Sequence, residues 1–263
     1  MLVLYDILFV ATALPELTHL QISLSRPPHS YRCTYLSVQM HEVGHNLGLA
    51  HSNESGSYKD QSGMMGYSYS QDNGPIMCFN AAKSWQLGWY SDRQQIFNAD
   101  DGIWSGRLIG QVDRDNVDAN TNDKVLLKLN TGTSTDYYAM FNLKEGTNSG
   151  TVEGGTQVLI TSAGGEGNSY AESELVAKLS ANGEYIIPDF DGSGFDLKLV
   201  VNAVNTNANP AYADVTVSTV CSSNADCDDG LECNGEETCD FGTGSCVPGI
   251  PCKFCSPLNS HPN

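Results

Sequence analysis

Basic residues are scarce in this chain. It has 13 Lys and Arg against 31 Asp and Glu, a net charge of −18 over 263 residues. A field that negative repels phosphate, which excludes nucleic acid as a natural partner. No apolar run is long enough to cross a bilayer, so no membrane span is expected. No serine or cysteine nucleophile motif stands out. Tryptophan is limited to three, yet 12 Tyr and 8 Phe accompany 40% hydrophobic content. That is enough for packed cores and excludes a disordered acidic chain.

Glycine, by contrast, is plentiful, with 26 residues beside 10 Pro. Together with abundant Asn, Ser and Thr, it predicts many turns and a mostly β chain. Nine cysteines are present, and seven fall between Cys221 and Cys255. The gaps between those seven are five, five, five, six, five and two residues. Such density in a turn-rich tail reads as a disulfide module and a secreted, extracellular setting. Only Cys252 and Cys255 have the two-residue gap of a zinc knuckle, so disulfides are favoured there over metal. The connectivity stays open, and an odd count leaves one cysteine without a partner in the chain.

The pattern along the chain predicts an α+β protein in four parts. Residues 1–32 are an ambiguous start, either a poor signal-like segment or a truncated or mis-spliced beginning. Residues 33–95 contain a helical stretch over 33–50, with Val38, Val43 and Leu47 on one stripe and Gly48 as its stop. A loop-rich stretch and a short helix at 81–87 follow. Residues 96–220 carry β-prone runs at 125–129, 137–143, 157–161, 184–187, 195–201 and 213–217. Residues 173–179 read as either a short helix or a strand. This spacing predicts an antiparallel β-sandwich or jelly-roll-like domain. Residues 221–263 form the cysteine-rich module.

The most informative segment is His41-Glu42-Val43-Gly44-His45-Asn46-Leu47-Gly48-Leu49-Ala50-His51. His41 and His45, four apart, leave one helix face a turn from each other. Glu42 is offset by one, beside a metal without ligating it, where it can accept a proton from a bound water. Gly48 can end the helix sharply and return the chain to deliver His51. Three imidazoles and a water suit a four-coordinate catalytic zinc with one open position. Residue frequencies give the full pattern a chance occurrence on the order of one in 10⁵ chains.

The motif resembles the metzincin signature, which a methionine-containing turn follows. Here Ser62-Gly63-Met64-Met65-Gly66-Tyr67 follows. The resemblance implies that Met65 forms an apolar floor under the metal. It also implies that Tyr67 ligates the metal or donates to the substrate oxygen. The stretches 33–40 and 78–89, ending Asn80-Ala81-Ala82-Lys83-Ser84-Trp85-Gln86-Leu87-Gly88-Trp89, are similar to gametolysin-type metallopeptidases, as is Phe141-Asn142-Leu143-Lys144-Glu145-Gly146. These enzymes are known from algae, where gametolysin digests a glycoprotein cell wall. The resemblance covers residues 33–218 and implies a zinc endopeptidase acting on extracellular protein or glycoprotein. Cys33 and Cys78 flank the zinc motif and the methionine turn and are a candidate bridge around the site.

Metzincins carry a sheet ahead of the zinc helix, and the 32 residues before Cys33 lack its strand pattern. The expectation is an N-terminally incomplete copy of a secreted protease. The alternative is a non-catalytic extracellular binding or adhesion protein with an incomplete peptidase core. In the tail, Asp226, Asp228 and Asp229 are a weak calcium candidate, because the EF-hand ligand order is missing. The same module is a candidate for docking to cell wall or matrix.

Overall fold

The computed structural model describes residues 36–66, 76–116, 121–165, 170–192, 194–221, 223–228, 235–240 and 244–250. Helix α1 spans Leu36–Asn46 and helix α2 spans Ala81–Gln86. Among the described residues twelve strands accompany them: β1 Ser52–Asn53, β2 Gln94–Phe97, β3 Ile103–Ile109, β4 Leu126–Leu129, β5 Thr135–Asn142 and β6 Gln157–Gly164; then β7 Ser173–Leu179, β8 Glu184–Ile187, β9 Asp196–Asn205, β10 Tyr212–Val220, β11 Thr238–Asp240 and β12 Ser245–Val247. The class is α+β and dominated by strands. Segment 173–179, open between helix and strand, is a strand.

Two sheets share one core. The wide sheet runs β1-β7-β6-β5-β4-β2 and the narrow sheet β3-β10-β9-β8. Phe97, Leu127, Leu129, Phe141, Val158 and Ile160 of the first meet Leu197, Leu199, Val201, Val215 and Val217 of the second. Each such side chain removed from water contributes about 1.5–3 kcal/mol before chain entropy is counted. The order makes two meanders, β4 to β7 and β8 to β10, rather than a jelly roll. The expected all-antiparallel pairing also fails at both edges of the wide sheet. There β1 pairs parallel with β7, and β2 parallel with β4. Both edge strands arrive from the helical region rather than by hairpin, and only a hairpin forces antiparallel pairing.

Strand β4 is buried at all four positions. Leu127 and Leu129 face the sandwich core, while Leu126 joins a second cluster with Tyr138, Met140, Ala81 and Ala82. The wide sheet is therefore covered on both faces, which explains its near-continuous apolar strands. Helix α2 lies on that second face against β5 and β6. Asn80 caps it, its side-chain oxygen accepting the Lys83 backbone N–H at 3.0 Å.

Helix α1 departs from its predicted orientation. The apolar stripe Val38, Val43 and Leu47 is only half-buried. The buried residues are Ser37, His41 and Gly44, a stripe at spacing four and three. The inward face is the histidine face, because it packs on the turn that carries Met64 and Met65. Gly48 has φ of +83°, and Leu49 N–H bonds back to the Gly44 carbonyl at 3.0 Å, closing the helix.

Among the described residues the tail holds two disulfides, Cys221–Cys239 and Cys227–Cys246. Strand β11 pairs with β12, placing Cys239 opposite Cys246. Phe195, just before β9, packs against Cys221, Cys227 and Cys239.

Candidate metal centre

Two segments bring the histidines together. His41 and His45 come from α1, and His51 follows Gly48 and stands just before β1. One ligand nitrogen from each lies within 4.8 Å of the others. His51 is held through its backbone, its carbonyl accepting the Ser173 N–H of β7 at 3.1 Å. The next residue, Ser52, donates its N–H to the Met65 carbonyl at 2.9 Å.

The rings are oriented as well. His41 Nδ1 lies 3.0 Å from the Met64 carbonyl oxygen, and His45 Nδ1 lies 2.8 Å from that of Leu49. A carbonyl can only accept, so both Nδ1 atoms carry a proton, and in the neutral ring each Nε2 presents its lone pair. His51 Nε2 sits 3.0 Å from His45 Nε2. Two imidazole nitrogens this close must share a proton or a cation.

Electrostatics favour the neutral, ligating form. Burial holds the pKa of His41, 3% exposed, below its ordinary value. His51 is lowered to about 4, first by burial and then by the neighbouring His45 and His41. A donor set of three imidazoles, two of them anchored through Nδ1, fits a zinc ion.

Beneath α1, Met65 is fully buried among Leu49, Met64, Met77 and Phe79. Its sulphur lies against Gly44, where a Cβ would fall 2.3 Å from Sδ. Glu42 is exposed on α1, one residue past His41. Tyr67 and Cys33 lie outside the described residues. Cys78 is a free thiol, 4.0 Å from Thr147 Oγ1, and the partner expected for it, Cys33, is not among the described residues. Its backbone is held instead by the Asn148 side chain at 2.9 Å.

Several residues at the centre carry no motif. Asp60 is fully buried, and its carboxylate accepts from Ser62 N–H, Ser62 Oγ and Asn80 Nδ2. Asn80 Nδ2 also reaches Ser52 and Ser173. This cluster ties the methionine turn, β1, β7 and α2 into one unit. Tyr58, seven residues past His51, lays its ring on that histidine with centroids 3.9 Å apart. It does so from a left-handed backbone, φ +62°, which costs a non-glycine residue about 1–2 kcal/mol. A polar residue in a loop after a third histidine is the only signal the sequence offers for either.

The calcium candidate finds no support. Asp226 accepts the Ser223 N–H and hydroxyl, capping its own turn. Asp229 lies outside the described residues. Among the described residues no cluster of carboxylates gathers, and the cysteine group of the tail is taken up in disulfides.

Three converging imidazoles, two of them from a helix that also carries the Glu42 carboxylate, form a set able to hold a metal ion on a β-rich scaffold. Residues 14–140 match the gametolysin peptidase M11 family model, and that match supports a gametolysin-like peptidase. The matched span contains α1, all three histidines, α2 and most of β5. No curated protein and no solved structure gives a significant match.

Proposed function

We propose that this chain is a secreted, zinc-dependent endopeptidase of metzincin type that hydrolyses extracellular or cell-wall proteins and glycoproteins. The convergence of His41, His45 and His51, with Glu42 on the helix that carries the first two, supports the reading. His41, His45 and His51 would hold one zinc ion through ring nitrogens. Zinc, when bound, lowers the pKa of a water toward neutrality and polarises the scissile carbonyl. The Glu42 carboxylate would be the base that takes a proton from the attacking water and returns it to the departing amine nitrogen. The Met64 and Leu49 carbonyls fix two imidazoles in the ligating tautomer. Met65 supplies a dry, apolar floor, and Tyr67 is assigned to the substrate oxygen by resemblance. The two disulfides support an oxidising compartment.

The test is zinc stoichiometry and casein cleavage by the full chain. The expected result is one zinc per chain, with cleavage lost on chelation and regained with zinc. A chain that takes up no zinc, or that cleaves equally well after chelation, would overturn the proposal.

A further inference from the structure

His41 and His45 are each oriented by a carbonyl on the nitrogen that faces away from the centre. His51 has no such bond on Nδ1 among the described residues, and its ring hydrogen bond is the Nε2 contact with His45. What touches its ring is Tyr58, tilted by 41° at a centroid distance of 3.9 Å. The same phenol ring faces His41, with centroids 6.2 Å apart.

Tyr58 does not serve the core. It is half-buried and belongs to none of the four hydrophobic clusters among the described residues. Yet it occupies a left-handed conformation that bulky residues avoid. Its backbone N–H is held by Asn53 Oδ1 at 3.0 Å. Asn53 lies in β1, two residues from His51, and its Nδ2 is bonded in turn to Glu172 at 2.8 Å. The loop thus leaves His51, turns, is fastened to β1, and brings an aromatic face back onto the histidine it left.

We infer that Tyr58 is a positioning residue of the metal centre, its ring fixing His51 in place of the carbonyl acceptor that fixes His41 and His45. This rests on the zinc reading above. Aromatic packing restricts the rotation of His51 about χ1 and χ2, so its ligand nitrogen is delivered to the centre without a second hydrogen bond. The backbone strain is the cost of reaching that place.

The experiment compares the full chain with Tyr58→Gly and Tyr58→Phe. Glycine removes the ring and relieves the backbone, because it adopts φ above zero freely. Zinc affinity is measured by competition with a chromophoric chelator, the cobalt form by visible absorption, and the metal-free forms by thermal unfolding. Tyr58→Gly is expected to bind zinc about 10- to 100-fold more weakly. Its cobalt ligand-field bands should shift, while its metal-free melting temperature stays level or rises. Tyr58→Phe should match the parent in all three. Parent-like zinc affinity and cobalt bands in Tyr58→Gly would overturn the inference and leave the zinc reading standing. A metal-free Tyr58→Gly that melts lower, with affinity reduced only to match, would also overturn it, marking a general structural role. Equal weakening in Tyr58→Phe would overturn the ring's part in favour of the hydroxyl. A parent that takes up no zinc would remove the zinc reading, and this inference with it.

Discussion

The sulphur of Met65 occupies the space that a side chain at residue 44 would take, with Gly44 as the gap in the helix face between His41 and His45. Replacing a mid-helix glycine with alanine ordinarily stabilises by about 1 kcal/mol. Here the added methyl meets Sδ at 2.3 Å, and overpacking costs about 1–3 kcal/mol. The second effect wins, so Gly44→Ala should lower stability and loosen zinc, read by urea titration and metal competition. Adding Met65→Ala should restore part of both. Independent, additive effects of the two changes would contradict the packing argument.

Glu42 is exposed on α1 and makes none of the contacts that orient the histidines. Glu42→Gln should therefore leave zinc stoichiometry at the parent value while lowering casein turnover by about 10²–10⁴. Loss of zinc from this variant would place Glu42 among the ligands instead.

Acid should destabilise the metal-free protein in a definable window. His51 has an ordinary pKa of 6.5 and is lowered to about 4 in the fold, by burial first and by His45 and His41 next. Between those values the unfolded chain binds a proton that the folded chain refuses. Stability is thus complete above about pH 6.5 and falls as pH drops toward 4. Urea midpoints at pH 7, 6, 5 and 4.5 should decline more steeply for the parent than for His51→Gln. Parallel declines would show that other groups govern the slope.

A buried ion pair braces the wide sheet. Lys128 Nζ lies 2.8 Å from Asp136 Oδ2, with side-chain exposures of 10% and 0%. Asp136 Oδ1 also accepts the Thr131 N–H at 2.9 Å. Asp136→Ala leaves a cation buried beside Trp85 and should cost about 3–5 kcal/mol. Lys128→Met in the same chain should recover much of that loss, because no lone charge then remains. A double variant as unstable as the single would refute the account.

The zinc motif was legible because its information is local. Four-residue spacing on a helix and a glycine stop need no distant partner, and His41, His45 and His51 converge in the structure. Strands rich in β-branched and aromatic residues, such as β5 and β10, were legible for the same reason. Strand β3 was not, since Gly106 and Arg107 interrupt its pattern. In the fold the Trp104 ring covers Gly106 and repairs the gap. Strand β1 is two residues long and exists only by pairing Ser52 with Ser173, 121 positions away. The apolar stripe of Val38, Val43 and Leu47 does not mark the buried face of α1. Packing on Met65 turned the polar stripe of Ser37, His41 and Gly44 inward. Tyr58 and Asp60 were hidden likewise, because their roles depend on what the loop closes against.

Asn80 joins the fold to the site and gives the most demanding test of that coupling. Its oxygen caps α2 through Lys83 N–H, and its Nδ2 contacts Asp60, Ser52 and Ser173. Losing the cap alone costs about 1 kcal/mol. Leaving the Asp60 carboxylate short of a donor in a fully buried position adds about 1–3 kcal/mol. Asn80→Ala should therefore destabilise by about 2–4 kcal/mol in urea titration. Ser52 follows His51 and bonds to Met65, so the same change should weaken zinc although Asn80 is no ligand. Asn80→Asp separates the two effects. It keeps the cap but sets a second carboxylate against Asp60, so α2 should persist while the cluster opens. Zinc affinity in Asn80→Asp should then fall with that of Asn80→Ala, whereas parent-like affinity would confine the residue to helix capping.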